Sequence, residues 1–117
     1  MPVLQLEPAT PVAGQPTSAV VWINGRKAIV AHPTPAGPAR LEDIDRGINA
    51  EPAFLAAVVR SIGDCQRVLV LGPGSTRLAL EREYVSAFRR PDRLVDVEPA
   101  GPPSEADLAA TLFTLSS

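Results

Sequence analysis

The stretch Leu71-Gly72-Pro73-Gly74-Ser75-Thr76-Arg77 has the clearest chemical potential in this chain. An apolar run, Val68-Leu69-Val70-Leu71, precedes it and a helix-period segment follows, so the glycines sit at a strand-to-helix turn. Glycine lets the backbone approach a ligand, and a helix start offers unpaired N–H groups with a partial positive charge. Arg77, in the first turn, would strengthen that field. The spacing is neither the dinucleotide fingerprint nor the phosphate loop, whose lysine is missing, and Pro73 removes one donor. Two readings stand: a phosphate-binding turn, or glycines that serve only to turn the chain. Ser75 lacks the flanking pattern of a nucleophile elbow and reads as a helix cap.

The other reactive side chains are sparser. His32 is the sole histidine and sits at a strand end before Pro33. A general base needs an oriented partner, and Asp43 or Asp45 are candidates, with a packing histidine as the plainer reading. Glu42, Asp43 and Asp45 form an acidic stretch suited to a divalent cation or simply to solvent. The single Cys65 supplies neither a disulfide nor a zinc cluster. Arg77, Arg82, Arg89, Arg90 and Arg93 are the densest basic group, able to grip RNA phosphates. Glu81 and Glu83 dilute it, which suits an ordinary solvated helix equally. No catalytic constellation emerges; the chain is expected not to be an enzyme and to need no cofactor or metal.

A chain of 117 residues, 45% of them apolar, has room for one core. Its net charge of −2 points to neither nucleic acid nor membrane, although ten of its eleven basic residues are arginine. No run approaches the roughly 20 apolar residues of a membrane span, and no basic start precedes an apolar run, so a cytoplasmic address is expected.

The elements that position these residues follow from pattern. Residues 1–17 carry Pro2, Pro8, Pro11 and Pro16 and read as an extended arm, with Val3, Leu4 and Leu6 free to pack or to meet a second copy. Ala19–Ile23 and Lys27–Ala31 are strands joined at Asn24-Gly25, the strongest short hairpin signal. Arg40–Ile44 is a weaker third strand after a Pro- and Gly-rich loop. Glu51–Ile62 is an amphipathic helix with Phe54, Leu55, Val58, Val59 and Ile62 on one arc, Pro52 in its first turn and Gly63 at its end. Arg67–Leu71 is a central strand. Thr76–Phe88 is a helix with Leu78, Leu80, Tyr84, Val85 and Phe88 expected inward and Arg82, Ser86 and Arg90 outward. Arg93–Val97 is the last strand. Ser104-Glu105-Ala106-Asp107 resembles a capping box before a helix with Leu108, Leu112 and Leu115 on one stripe.

These residues resemble a known family. Ala19-Val20-Val21-Trp22-Ile23-Asn24-Gly25-Arg26-Lys27-Ala28-Ile29-Val30 is similar to the opening hairpin of bacterial proteins related to the class-I peptide release factors of archaea and eukaryotes. Val68-Leu69-Val70-Leu71-Gly72-Pro73-Gly74 resembles their xxIxGPG strand and turn, and Val95-Asp96-Val97-Glu98 with the helix from Ser104 follows in the same order. The likeness covers roughly residues 18–115. It implies the middle domain of those factors, with a ribonuclease-H-like sheet. The Gly-Gly-Gln tip that enters the peptidyl transferase centre is missing: no such tripeptide occurs in the chain, and the segment from His32 to Arg46 is short. The family's lysine after GPG is also missing, with Arg77 the nearest substitute.

The expectation is a three-layer α/β domain over residues 18–117 on a mixed five-stranded sheet, following the arm. Its expected role is that of a non-enzymatic accessory protein binding ribosome or RNA through Gly72, Gly74, Ser75, Arg77 and Arg82. The alternatives are a small-ligand or nucleotide sensor using the same turn, and a protein-interaction module or homodimer. No membrane partner is expected.

Overall fold

A β-branched stretch wants a pleated, packed surface, and Ser18–Ile23 forms β1 with all six residues buried. Asn24 then turns the chain: its Oδ1 accepts the Arg26 and Lys27 N–H groups, each at 2.8 Å. β2 (Lys27–His32) returns antiparallel, with Val21 opposite Val30. β3 (Arg40–Asp45) continues the meander antiparallel to β2. In this computed structural model the described residues are 18–34 and 39–116. The Pro-rich arm 1–17, with Val3, Leu4 and Leu6, lies outside them.

From β3 the chain passes through α1 (Glu51–Ile62) to β4 (Arg67–Leu71), then through α2 (Thr76–Phe88) and a short 3₁₀ turn (Pro91–Arg93) to β5 (Leu94–Glu98). β4 lies parallel to β1 and β5 parallel to β4, giving the order β3-β2-β1-β4-β5. Both crossovers step the same way across the sheet. Right-handed connection therefore places both helices on one face, α1 over β2 and β3, α2 over β1, β4 and β5. α3 (Glu105–Ser116) covers the opposite face alone, over β1, β2 and β4. The expected three-layer α/β architecture with a mixed five-stranded sheet is what forms, each boundary within a residue or so of its sequence position.

The two faces have separate cores. Val21, Ile23, Ala28, Val30, Val68 and Val70 meet Phe54, Val58, Ile62, Leu80 and Tyr84 on the α1–α2 side. Val20, Trp22 and Ala31 meet Leu108, Leu112 and Leu115 on the α3 side. The α3 capping box forms as read: Ser104 Oγ accepts from Asp107 N–H, and Asp107 accepts from Ser104 N–H, both at 3.1 Å.

Leu78 departs from expectation. It is 39% exposed rather than inward. Leu80, Tyr84 and Phe88 recur at intervals of four and mark the buried line, and a residue two positions before Leu80 falls about 200° round the wheel. Val85 and Phe88 are half-buried.

A buried group closes the α2 end of the sheet. Tyr84 is fully buried, donates its hydroxyl to the Cys65 carbonyl at 3.3 Å and lies 4.9 Å, ring to ring, from Phe88. Burial pushes its phenol above the usual tyrosine value, against a smaller opposing pull from Arg93. A raised folded-state value means that the neutral phenol's stabilisation is complete below pH 10, the unfolded value, and is lost as pH rises. Tyr84→Phe should therefore flatten the alkaline fall in stability, while costing about 1 kcal/mol at neutral pH for the lost hydrogen bond. Chemical unfolding of both proteins across the alkaline range checks this.

Candidate functional site

Because β1, β4 and β5 run parallel, their C-terminal ends share one edge of the sheet. After β1 the chain turns to one side of the sheet and after β4 to the other. The Gly72–Ser75 turn leaves β4 at this edge, between the β1–β2 hairpin and the start of α2. Gly72 is buried there; a Cβ on it would stand 2.0 Å from the Ile23 carbonyl oxygen. Its N–H donates to the Glu98 carbonyl at 3.1 Å, and its own carbonyl accepts from Ala100 N–H at 3.2 Å. Gly72 thus locks three strand ends together.

Gly74 is exposed with φ 67°, the left-handed conformation that glycine alone adopts freely, and nothing lies within 4 Å of where its Cβ would be. Ser75 occupies the N-cap position of α2, but its hydroxyl makes no capping bond; its carbonyl accepts from Leu78 and Ala79 N–H at 3.0 and 3.2 Å. The expected side-chain cap is corrected accordingly: Ser75 has helical φ and ψ of −97° and −7°, whereas a capping hydroxyl requires an extended residue.

Arg77 folds back over the turn. Its Nη1 donates to the Gly74 carbonyl and, at 3.4 Å, to the Gly72 carbonyl. Its Nε is buried without a partner. The half-buried side chain is thereby held against the loop through Nη1. No acidic residue stands in the first turn of α2 to offset the positive helix end. Arg82 lies further along α2, exposed, with no ion pair or hydrogen bond among the described residues.

The basic group seen in the sequence divides sharply. Arg90 pairs with Asp92 at 2.9 Å, which raises the arginine and holds the Asp92 carboxyl below its usual range. Arg93 pairs with Asp64 and lies 5.9 Å over the Phe88 ring. Arg82 and Arg89 are left exposed and unpaired among the described residues.

A second feature of this edge was not singled out from sequence. Arg46 Nε donates to the Asn49 carbonyl at 2.9 Å and its Nη1 to the Gly25 carbonyl at 3.2 Å. Together with Arg26, Gly47 and Ile48 these residues line an open groove of about 800 Å³. Gly25 lies beside Thr76 of α2, so the groove adjoins the turn. The signals in the sequence were Arg26 after Asn24-Gly25 and the Asp45-Arg46-Gly47 run at the end of β3.

The remaining candidates do not assemble. His32 Nε2 lies 2.8 Å from the Ser61 carbonyl, not near Asp43 or Asp45, which register with Ile29 and Lys27 further along β2. Glu42 accepts from Ser61 Oγ at 2.7 Å. Strand alternation puts Glu42 on one face of β3 and Asp43 with Asp45 on the other. Among the described residues no three potential metal ligands cluster. On β5, the neighbouring Asp96 holds the Glu98 carboxyl above its usual range. Cys65 is buried, its Sγ 3.1 Å from the Ile62 carbonyl.

No family model and no curated protein matches the chain. Among solved structures it is similar to Pelota from Archaeoglobus fulgidus, with a TM-score of 0.64 at 15% identity over 92% of this chain and 34% of that one. Pelota from Thermoplasma acidophilum gives 0.60 at 17% identity over 80% of this chain and 30% of that one. The chain thus spans about a third of the length of these structures. At such identities the likeness shows a shared fold. No described helix is long and apolar enough to cross a membrane.

Proposed function

We propose that this chain is a translation-related accessory protein that binds ribosome or RNA and acts by binding, not by catalysis. Two lines support the reading. The hairpin and GPG motifs resemble the release-factor middle domain, and the fold is shared with Pelota, a relative of those factors. The observation that carries it is the surface of α2. This helix rises from the glycine turn with no acid in its first turn and presents Arg82 without a partner. In this arrangement Gly72, Gly74, Ser75 and Arg77 shape the turn, and Arg82 faces the phosphates.

Co-sedimentation with purified ribosomes tests it. The protein should pellet with ribosomes at about 50 mM salt and far less at about 200 mM, since phosphate contacts release counterions. It should release no peptide from peptidyl-tRNA, because no Gly-Gly-Gln is present to reach the ester. Failure to pellet at low salt, or binding indifferent to salt, would reject a phosphate-reading role.

A further inference from the structure

Helix α2 ends on an unusual residue. Arg89 has φ 58° and ψ 32°, and among the described residues it is the one non-glycine at positive φ. Its N–H closes the helix on the Val85 carbonyl at 2.7 Å. Glycine is the ordinary occupant of that position because any Cβ is strained there. Arg89 nevertheless makes no ion pair, although Arg90 and Arg93, which follow it, each hold an aspartate. Attraction to the helix C-terminus does not account for it, since an arginine inside the last turn would gain that without strain.

Arg82 lies seven positions earlier. That is two turns, about 10 Å along the axis, on the same side of the helix. The strip they define runs Leu78, Arg82, Ser86, Arg89, all exposed and none acidic. Arg77, the cation first expected to meet a ligand, is bound to the turn.

We propose that Arg82 and Arg89 form a two-point grip on the phosphodiester backbone of RNA, and that the strain at Arg89 is offset when its guanidinium holds a phosphate. The inference rests on the reading of the chain as a ribosome or RNA binder and names the residues and the chemical group they contact. RNA is favoured over an acidic protein surface because Arg82 and Arg89 bracket the polar Ser86, and the strip's one apolar member, Leu78, lies at its end, not at its centre. The planar arginine fork also matches a phosphate in two-point fashion.

The test uses the full chain with a labelled single-stranded RNA oligonucleotide by fluorescence anisotropy, and with ribosomes by co-sedimentation. Arg82→Gln and Arg89→Gln should each weaken RNA binding about tenfold at low salt. Each should also reduce the slope of log affinity against log salt by about 0.7, the share of one single-strand phosphate contact. Arg40→Gln removes the same charge from the far edge strand and should change neither. Arg89→Gly and Arg89→Ala should lose binding equally, while Arg89→Gly melts about 2–6 °C above Arg89→Ala because only alanine keeps the strain. Undiminished RNA binding in folded Arg89 variants overturns the proposal. Binding of ribosomes but not of RNA overturns it too. If wild type binds neither, the functional reading falls first and this inference with it.

Discussion

Gly72→Ala should be among the most damaging single substitutions in this protein, lowering stability by about 4 kcal/mol. The new Cβ would stand 2.0 Å from the Ile23 carbonyl oxygen, a backbone atom of the central strand that no rotamer change can move away. Relief requires β1 and β4 to separate at their ends, which would loosen the bonds that Gly72 makes to Glu98 and Ala100. Gly74→Ala, two residues on, provides the contrast. Nothing lies within 4 Å of its Cβ position, so only the φ of 67° opposes alanine. That costs about 1 kcal/mol. Denaturant unfolding of the two variants beside wild type separates these effects. Equal losses would show that the turn, not the strand contact, governs both glycines.

Trp22→Ala should cost about 3–5 kcal/mol, the range for truncating a fully buried aromatic. Trp22 is 1% exposed and forms the centre of the core beneath α3, against Leu108, Leu112 and Leu115. Its Nε1 also donates to the Ala100 carbonyl at 3.1 Å, tying the β5–α3 connection to β1. Trp22→Phe keeps most of the packing and loses that bond, so its cost should be about 1–2 kcal/mol. Because α3 covers its face of the sheet alone, the alanine variant should expose that face. An increase in binding of a hydrophobic dye, with far-ultraviolet helicity reduced, is the expected signature.

Much of this fold was legible because its signals are local. Asn24-Gly25 predicts a tight hairpin, and the Asn24 side chain closes it within three residues. Pro52, Gly63 and the Ser104–Asp107 pair bound their helices for reasons contained in one helical turn. What escaped depends on contacts distant in sequence or on backbone angles. That Gly72 abuts Ile23 follows only once β1 and β4 are neighbours. That His32 meets the Ser61 carbonyl requires α1 to lie across β2. Arg77 looked like a free cation because composition cannot show that the carbonyls of Gly72 and Gly74 point back at it. Arg89 carried no mark of a left-handed helix end, since the residue that usually announces one is glycine. Leu78 was misplaced for a simpler reason: it cannot share a helix face with Leu80.

The most direct measurement of the central claim is the reactivity of individual arginines toward a guanidinium-specific reagent, read by mass spectrometry with and without ribosomes. Arg82, Arg89 and Arg40 are all exposed in the free protein. If α2 is the face that meets RNA, ribosomes should protect Arg82 and Arg89 while Arg40 stays as reactive as before. Protection of Arg40 with Arg82 and Arg89 still reactive, or no protection anywhere, would contradict the account.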